Sequence, residues 1–70
     1  MIDISKMGER IDINNAANLI AYSLGKDKPV HRKTVYNWIN KGAFPKQIKT
    51  PNGAAVWNKK ECMEMLGLSQ

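Results

Sequence analysis

The chain has 70 residues, a formal net charge of +5 and a single cysteine. Seventy residues allow one small domain with a thin core, which excludes an enzyme pocket enclosed on all sides. Residues 26–49 hold seven basic side chains against one acidic side chain, Asp27, which favours a polyanionic partner. A solvated basic surface with no partner is the alternative that charge alone leaves open.

Apolar and polar residues alternate weakly at the N-terminus, where Ile2 and Ile4, and then Ile11 and Ile13, are spaced by two residues. This pattern predicts extended chain, with a short edge strand as one form of it. We therefore divide the chain into an N-terminal extended segment, residues 1–12, and a folded domain, residues 13–70.

A first helix is predicted early in that domain. Asn14 or Asn15 is placed to be its N-cap, whose side chain accepts hydrogen bonds from the free backbone N–H groups of the first turn. One apolar stripe at helical spacing contains Ala17, Ile20, Ala21 and Leu24. Gly25 is suited to end the helix, and a polar connector of residues 26–29 follows.

The second helix is predicted over residues 31–40. Val35, Trp38 and Ile39 form its buried face by the same spacing. Gly42 follows and ends the helix. The aromatic side chains of Trp38, Phe44 and Trp57 fall at core-facing positions, so we expect packing rather than stacking on bases.

A two-stranded hairpin is predicted next, with strands over residues 43–49 and 54–57. The turn between them, residues 50–53, contains proline, which presets one backbone angle, and Asn-Gly, which accepts positive φ. Pro45 lacks an amide donor and is tolerated at a sheet edge. The sequence thus predicts a mainly α fold with a small β-hairpin, in the order of a winged helix-turn-helix.

A third helix is predicted from Asn58, with Glu61 three residues later as in a capping box. Cys62, Met65 and Leu66 form its apolar face, and a Schellman-type ending follows at Gly67. Glu61 and Glu64 have no nucleophile or base beside them, and no metal-ligand spacing or phosphate-binding loop is present. We therefore expect a non-enzyme without a metal or other cofactor.

The second helix combines an apolar face with a polar face, which a helix in the major groove of DNA requires. Arg32 and Lys33 can pair with guanine O6/N7 or with phosphate, and Asn37 can form the bidentate amide pair to adenine. Tyr36 can reach a phosphate or a thymine methyl group. An ordinary amphipathic helix with a solvated face is the alternative.

A second set of side chains is expected to contact the DNA backbone. They lie at the ends of the second helix, on the hairpin and in the connector. The hairpin would lie along the adjacent minor groove or the DNA backbone. The set consists of His31, Thr34, Asn40, Lys41, Lys46, Lys49, Thr50, Asn52, Lys26 and Lys28.

The stretch from Val35 to Pro45, followed by Trp57 and a helix, resembles the winged helix-turn-helix of phage excisionases and AlpA-type regulators, which are related to MerR-like DNA-binding domains. The resemblance covers about residues 10 to 66. The matching positions are Ala17, Val35-Tyr36-Asn37-Trp38-Ile39, Gly42, Phe44-Pro45 and Trp57. It implies that residues 32, 33, 36 and 37 read bases. It also implies that the wing, which is the predicted hairpin of residues 43–57, contacts the DNA backbone. The connector of residues 24–29 departs from the pattern, because it is longer and more charged than the usual tight turn.

These observations predict a sequence-specific, double-stranded DNA-binding protein of phage or mobile-element type. It would act as an operator-binding repressor or as an excisionase-like architectural factor. The alternative is a protein-interaction module that recruits an integrase or polymerase component through the last helix. We expect self-association as a dimer or a cooperative array on DNA. Since the chain shows neither a signal peptide nor about 18 consecutive apolar residues, we expect no membrane association and a place in the host cytoplasm with the nucleoid.

Overall fold

The computed structural model describes residues 4–68, in which three helices and a small antiparallel sheet follow a short 3-10 helix. The elements are the 3-10 helix Ile4–Lys6, β1 Arg10–Ile11, α1 Ile13–Ser23, α2 Arg32–Asn40, β2 Ile48–Lys49, β3 Ala55–Asn58 and α3 Lys59–Met65. The predicted fold class, mainly helical with a β-hairpin wing, is confirmed. No helix within the described range has the length and apolar character needed to cross a bilayer.

The sheet has the strand order β1-β3-β2, so the wing contributes two of its three strands. β3 lies in the centre, with Ile11 opposite Trp57 on one side and Ile48 opposite Val56 on the other. The N-terminal segment therefore joins the same sheet as the wing through β1. Its residues 4–6 form a 3-10 helix rather than extended chain, and residues 1–3 lie outside the described part.

The α1 helix begins two to three residues earlier than predicted, because its N-cap is Asp12 and not Asn14 or Asn15. A carboxylate oxygen of Asp12 accepts the backbone N–H of Asn15 at 2.9 Å. β1 ends at Ile11, so the residue that follows the strand is already at the helix start. Pairing with β3 thus fixes where α1 begins.

We expect Asp12→Ala to lower the free energy of unfolding by about 1 kcal/mol, since an N–H in the first turn of α1 loses its acceptor. Asn14→Ala is the matched control, and its exposed side chain should change the stability by less than about 0.5 kcal/mol. Urea unfolding followed by circular dichroism measures both. Equal losses for the two variants would contradict the assignment of the cap.

The buried face of α1 is wider than the predicted stripe. Ala16 and Leu19 are fully buried beside the predicted members, because α1 packs against α2 as well as α3 and β3. Leu24, predicted to be buried, is 49% exposed. It is the C-cap, beyond the last helical residue, where helical spacing no longer determines the direction of a side chain.

The first strand of the predicted hairpin is much shorter than residues 43–49. The N–H of Ala43 donates to the carbonyl of Trp38 at 2.9 Å, in the Schellman ending of α2. Phe44 then enters the core, and the carbonyl of Pro45 accepts the indole N–H of Trp57 at 2.9 Å. These bonds hold the chain away from β3 until Ile48, so only Ile48–Lys49 is paired.

The α3 helix begins and ends as predicted, but its buried face differs. The side chain of Asn58 accepts the N–H groups of Lys60 and Glu61, and the N–H of Leu68 donates to the carbonyl of Met63 at 2.7 Å. Cys62 is buried, while Met63 and Leu66 are partly buried and pack against the core. Met65, predicted to lie on the apolar face, is 45% exposed. The side of this short helix that packs on the core therefore contains Met63, where the predicted apolar face contained Met65.

The thiol of Cys62 lies in the hydrophobic core. Burial, helped by the carboxylate of Glu61, raises its pKa from 9.0 to about 12. The neutral thiol therefore contributes stability that is present below pH 9 and is lost as the pH rises towards 12.

We expect the native protein at pH 8 to react with a disulfide reagent at least about 100-fold more slowly than the urea-unfolded chain, because the thiolate is the nucleophile and burial suppresses it. The absorbance of the released thiol measures both rates. Similar rates in the native and unfolded states would contradict the burial of Cys62.

Candidate nucleic-acid interface

The α2 helix carries one buried side and one exposed side. Val35 is fully buried, and Trp38 and Ile39 are partly buried against the core, as predicted. The four residues predicted to read bases are all exposed on the other side, where they repeat at helical spacing. They are Arg32, Lys33, Tyr36 and Asn37. The structure thus brings them together on one surface, which we call the α2 face.

The N-terminus of α2 is capped by His31, which was predicted as its first residue. Nδ1 of His31 accepts the backbone N–H of Lys33 at 3.2 Å. The cap therefore uses a lone pair of this ring nitrogen as the acceptor. His31 therefore holds the first turn of α2 and remains exposed at its start.

The C-terminus of α2 ends sharply at Gly42, whose φ of 78° an L-residue with a side chain rarely adopts. The N–H of Gly42 donates to the carbonyl of Ile39 at 3.0 Å. Asn40 and Lys41 are exposed at this end, and Thr34 is partly buried nearer the start. This ending turns the chain from the α2 face towards the wing.

The wing presents two lysines and a tip whose polar groups are bonded within the turn. Lys46 and Lys49 are exposed on the approach to the tip. The N–H of Gly53 donates to the carbonyl of Thr50 at 2.9 Å, and the hydroxyl of Thr50 accepts the N–H of Ala54 at 3.2 Å. That hydroxyl also donates to the side-chain oxygen of Asn52. Thr50 and Asn52, predicted as backbone contacts, are thus partners of one another in the turn.

Two shallow grooves flank the start of α2. One, of about 550 Å³, runs between α1 and α2 and is lined by Asn14 and Asn18 together with His31 and Arg32. Neither asparagine was among the predicted site residues, although their spacing of four residues places them on one polar side of α1. The other groove, of about 520 Å³, is lined by the connector and includes Lys26 and Lys28.

The described residues hold neither a cluster of potential metal ligands nor a buried polar side chain. Between residues 4 and 68, no group of three or more histidine, cysteine, aspartate or glutamate side chains could hold a metal ion. Every fully buried side chain of the described range is apolar or the neutral thiol of Cys62. The candidate functional groups are the polar and basic side chains that α2 and the wing expose.

The comparisons with known proteins agree with the resemblance drawn from the sequence. The family model described as prophage CP4-57 regulatory protein (AlpA) matches residues 29–69, which include α2, the wing and α3. No curated protein matched in the search, and neither did a solved structure. The matched range is more than half of the 70 residues and contains the whole α2 face. The chain therefore belongs to the AlpA family of prophage regulatory proteins.

Proposed function

We propose that this regulator binds double-stranded DNA sequence-specifically, with α2 in the major groove and the wing on the backbone or in the adjacent minor groove. The observation that carries the proposal is the α2 face, where a guanidinium, an ammonium, a phenol and an amide are exposed together on a helix whose other side is in the core. B-DNA admits one such helix in its major groove, where each base pair displays a distinct pattern of donors and acceptors.

Within this proposal Arg32, Lys33, Tyr36 and Asn37 read base edges. Residues around them position the domain on phosphates, which carry affinity but little sequence information. This second set consists of His31, Thr34, Asn40, Lys41, Lys46, Lys49, Lys26 and Lys28, with Thr50 and Asn52 contributing through the wing tip that they hold in shape. The basic segment supports this division, because its five lysines in the set, Lys26, Lys28, Lys41, Lys46 and Lys49, are all exposed to solvent.

Modified bases test the groove assignment. Replacing the guanines of a bound site by 7-deazaguanine removes the N7 acceptor from the major groove and leaves base pairing intact. We expect specific binding to weaken by about ten-fold or more for each guanine that Arg32 or Lys33 contacts. An affinity unchanged at every guanine would contradict reading of guanine by α2.

The wing lysines give a separate prediction. Lys46→Ala and Lys49→Ala should each weaken binding to all DNA sequences alike, because a phosphate contact carries no sequence information. Each should also reduce the slope of log affinity against log salt concentration by about 0.9, the value for one released counterion. Titrations between 50 and 200 mM salt measure these slopes. Lys60→Ala, on α3, is the matched control, and its slope should equal that of the wild type.

Two regulatory roles fit these contacts, an operator-binding repressor and an excisionase-like architectural factor. A repressor needs only occupancy, whereas an architectural factor bends its site. Gel mobility of circularly permuted fragments distinguishes them: mobility that depends on the position of the site indicates bending. In either role, one module of this size covers about 600–1,000 Å² of DNA, so we expect more than one copy on a functional site.

The second candidate function is a protein-interaction module that contacts an integrase or polymerase component through α3. One observation favours it, since Met65 is 45% exposed on that helix. In that case, substituting residues of the α2 face would leave the regulatory activity of the protein unchanged.

A further inference from the structure

An exposed apolar side chain lies on the wing, between the two lysines assigned to phosphate. Ile48 is 49% exposed on the edge strand β2 and lies directly opposite Val56 of β3. Lys46 precedes it by two residues and Lys49 follows it. A wing that places both lysines on DNA therefore brings Ile48 to the DNA surface as well, although the contacts proposed above give it no role.

Ile48 and Val56 point away from the core of the domain. Successive side chains of a strand lie on opposite faces, and directly opposite residues of an antiparallel pair share a face. Ala55 packs against the core and Trp57 is fully buried, so Val56 between them faces outward. Ile48 shares that outward face because it is the partner of Val56. We call these two side chains the wing pair.

The surroundings of the wing pair suit a polyanionic partner. No residue of β1, β2 or β3, in the part of the chain that the structure describes, carries a carboxylate. Arg10 lies opposite Asn58, which is two residues from Val56, so the guanidinium belongs to the same outward face. The wing pair is thus an apolar centre with cations around it. The minor groove of DNA has the complementary composition, because its apolar sugar walls are flanked by phosphates and it accepts aliphatic side chains of proteins.

The dimensions allow side chains of the wing, but not its paired backbone, to enter that groove. The minor groove of B-DNA is about 6 Å wide, and two paired strands lie about 4.8 Å apart before their side chains are counted. The Cβ atoms of directly opposite residues are about 5 Å apart, which spans about one or two base pairs at ~3.4 Å each. The wing pair would therefore contact a short stretch of the groove floor.

We propose that Ile48 and Val56 contact the minor groove and select A·T base pairs beside the bases that α2 reads. The inference rests on the proposed DNA binding and selects the minor groove from the two placements of the wing given there. A·T pairs display only acceptors in this groove, whereas G·C pairs add the N2 amine of guanine. The amine projects from the groove floor, and an aliphatic side chain over it removes its water without offering an acceptor. A G·C pair at this position therefore lowers the affinity.

Inosine·cytosine pairs test the inference, because they have the minor groove of A·T and the major groove of G·C. The base pairs that flank the α2 contacts of a specific site are exchanged in turn among A·T, I·C and G·C, and each duplex is titrated with the wild-type chain. At one or two of these pairs we expect equal affinity for A·T and I·C and about ten-fold lower affinity for G·C.

Three outcomes would overturn the inference. If I·C behaved like G·C, the discrimination would lie in the major groove. Equal affinity for the three base pairs at every flanking position would show that the wing pair selects nothing, while specific binding by α2 would leave the proposed function standing. The absence of specific binding to any site would overturn the proposed function as well.

Ile48→Ala identifies the residue that discriminates. It should reduce the ratio of A·T to G·C affinity by at least about three-fold, because water regains access to the amine. The salt dependence should stay as in the wild type, since no charge is lost, whereas a displaced wing would also lose the contacts of Lys46 and Lys49 with phosphate. A wild-type ratio in Ile48→Ala would overturn the inference.

Leu24→Ala is the matched control. It removes the same number of atoms as Ile48→Ala, from a side chain that is also 49% exposed but lies at the end of α1. It should keep the full ratio of A·T to G·C affinity, and an equal reduction in both variants would overturn the inference. Ile48 is exposed, so Ile48→Ala should unfold at nearly the same temperature as the wild type. The base-pair exchanges use the wild-type chain and are independent of the stability of the variants.

A second copy of the chain is the other occupant that an exposed apolar pair could have. Sedimentation of the free protein tests it, and we expect Ile48→Ala and the wild type to have the same mass in solution. Self-association without DNA that Ile48→Ala abolishes would assign the wing pair to a contact between copies and overturn the inference.

Discussion

Replacing Trp57 with alanine is expected to remove a large part of the protein's free energy of unfolding. Trp57 is fully buried in β3, the central strand, and its ring lies 6.1 Å from that of Phe44. Its indole N–H also donates to the carbonyl of Pro45. Truncation of such a side chain costs about 3–5 kcal/mol, and a small domain has only about 5–15 kcal/mol in total. Urea unfolding followed by far-ultraviolet circular dichroism measures the loss.

Two further variants separate the causes. Trp57→Phe keeps an aromatic ring in the core but removes the N–H, so we expect a loss of about 1–3 kcal/mol from the unpartnered carbonyl of Pro45. Tyr22→Ala removes an aromatic ring that is 42% exposed on α1, and its effect should stay within about 0.5 kcal/mol. A Trp57→Ala variant as stable as Tyr22→Ala would contradict the packing described for the sheet.

The double variant Arg32→Ala with Asn37→Ala is expected to abolish sequence discrimination while the domain remains folded. Each bidentate contact to a base edge contributes about 1–3 kcal/mol of discrimination, so the loss of two should lower specific affinity by about 30-fold or more. Both side chains are exposed, and stability should therefore be nearly unchanged. Parallel titrations of the specific site and of random duplex measure the discrimination.

Lys60→Ala is the control for the lost charge in that experiment. It removes one positive charge, as Arg32→Ala does, but from an exposed position on α3. We expect it to keep the preference for the specific site. If the double variant retained full regulatory activity in cells, the interaction of α3 with a partner protein would replace DNA reading as the preferred function.

The fold class could be predicted from the sequence because the residues that end helices and form turns act through the geometry of the backbone next to them. Glycine at Gly42 and the Asn-Gly turn are required by backbone geometry alone, and both lie where they were expected. The same is true of Asn58, whose side chain must meet the orphan amides of α3. The exposed α2 face also follows from one local rule, the spacing of its buried residues.

The errors arose where distant contacts decide the structure. Asp12 and Asn14 are both good caps, and only the pairing of Ile11 with Trp57 selects the first. The strand predicted for residues 43–49 is shortened by the hydrogen bond from Trp57 to Pro45, twelve residues away. No local pattern contains that contact. The exposure of Leu24 and Met65 likewise depends on which neighbouring elements cover the helix ends.

The most direct test of the proposed function is a titration against DNA from the protein's own genomic neighbourhood, in the presence of excess random duplex. We predict a discrete complex that survives the competitor, because base contacts from the α2 face add specificity to the general attraction of a basic domain for phosphate. Its footprint would also show whether one copy or an array occupies the site. Complete loss of binding to the competitor would contradict sequence-specific recognition and leave only the attraction of a chain with a net charge of +5.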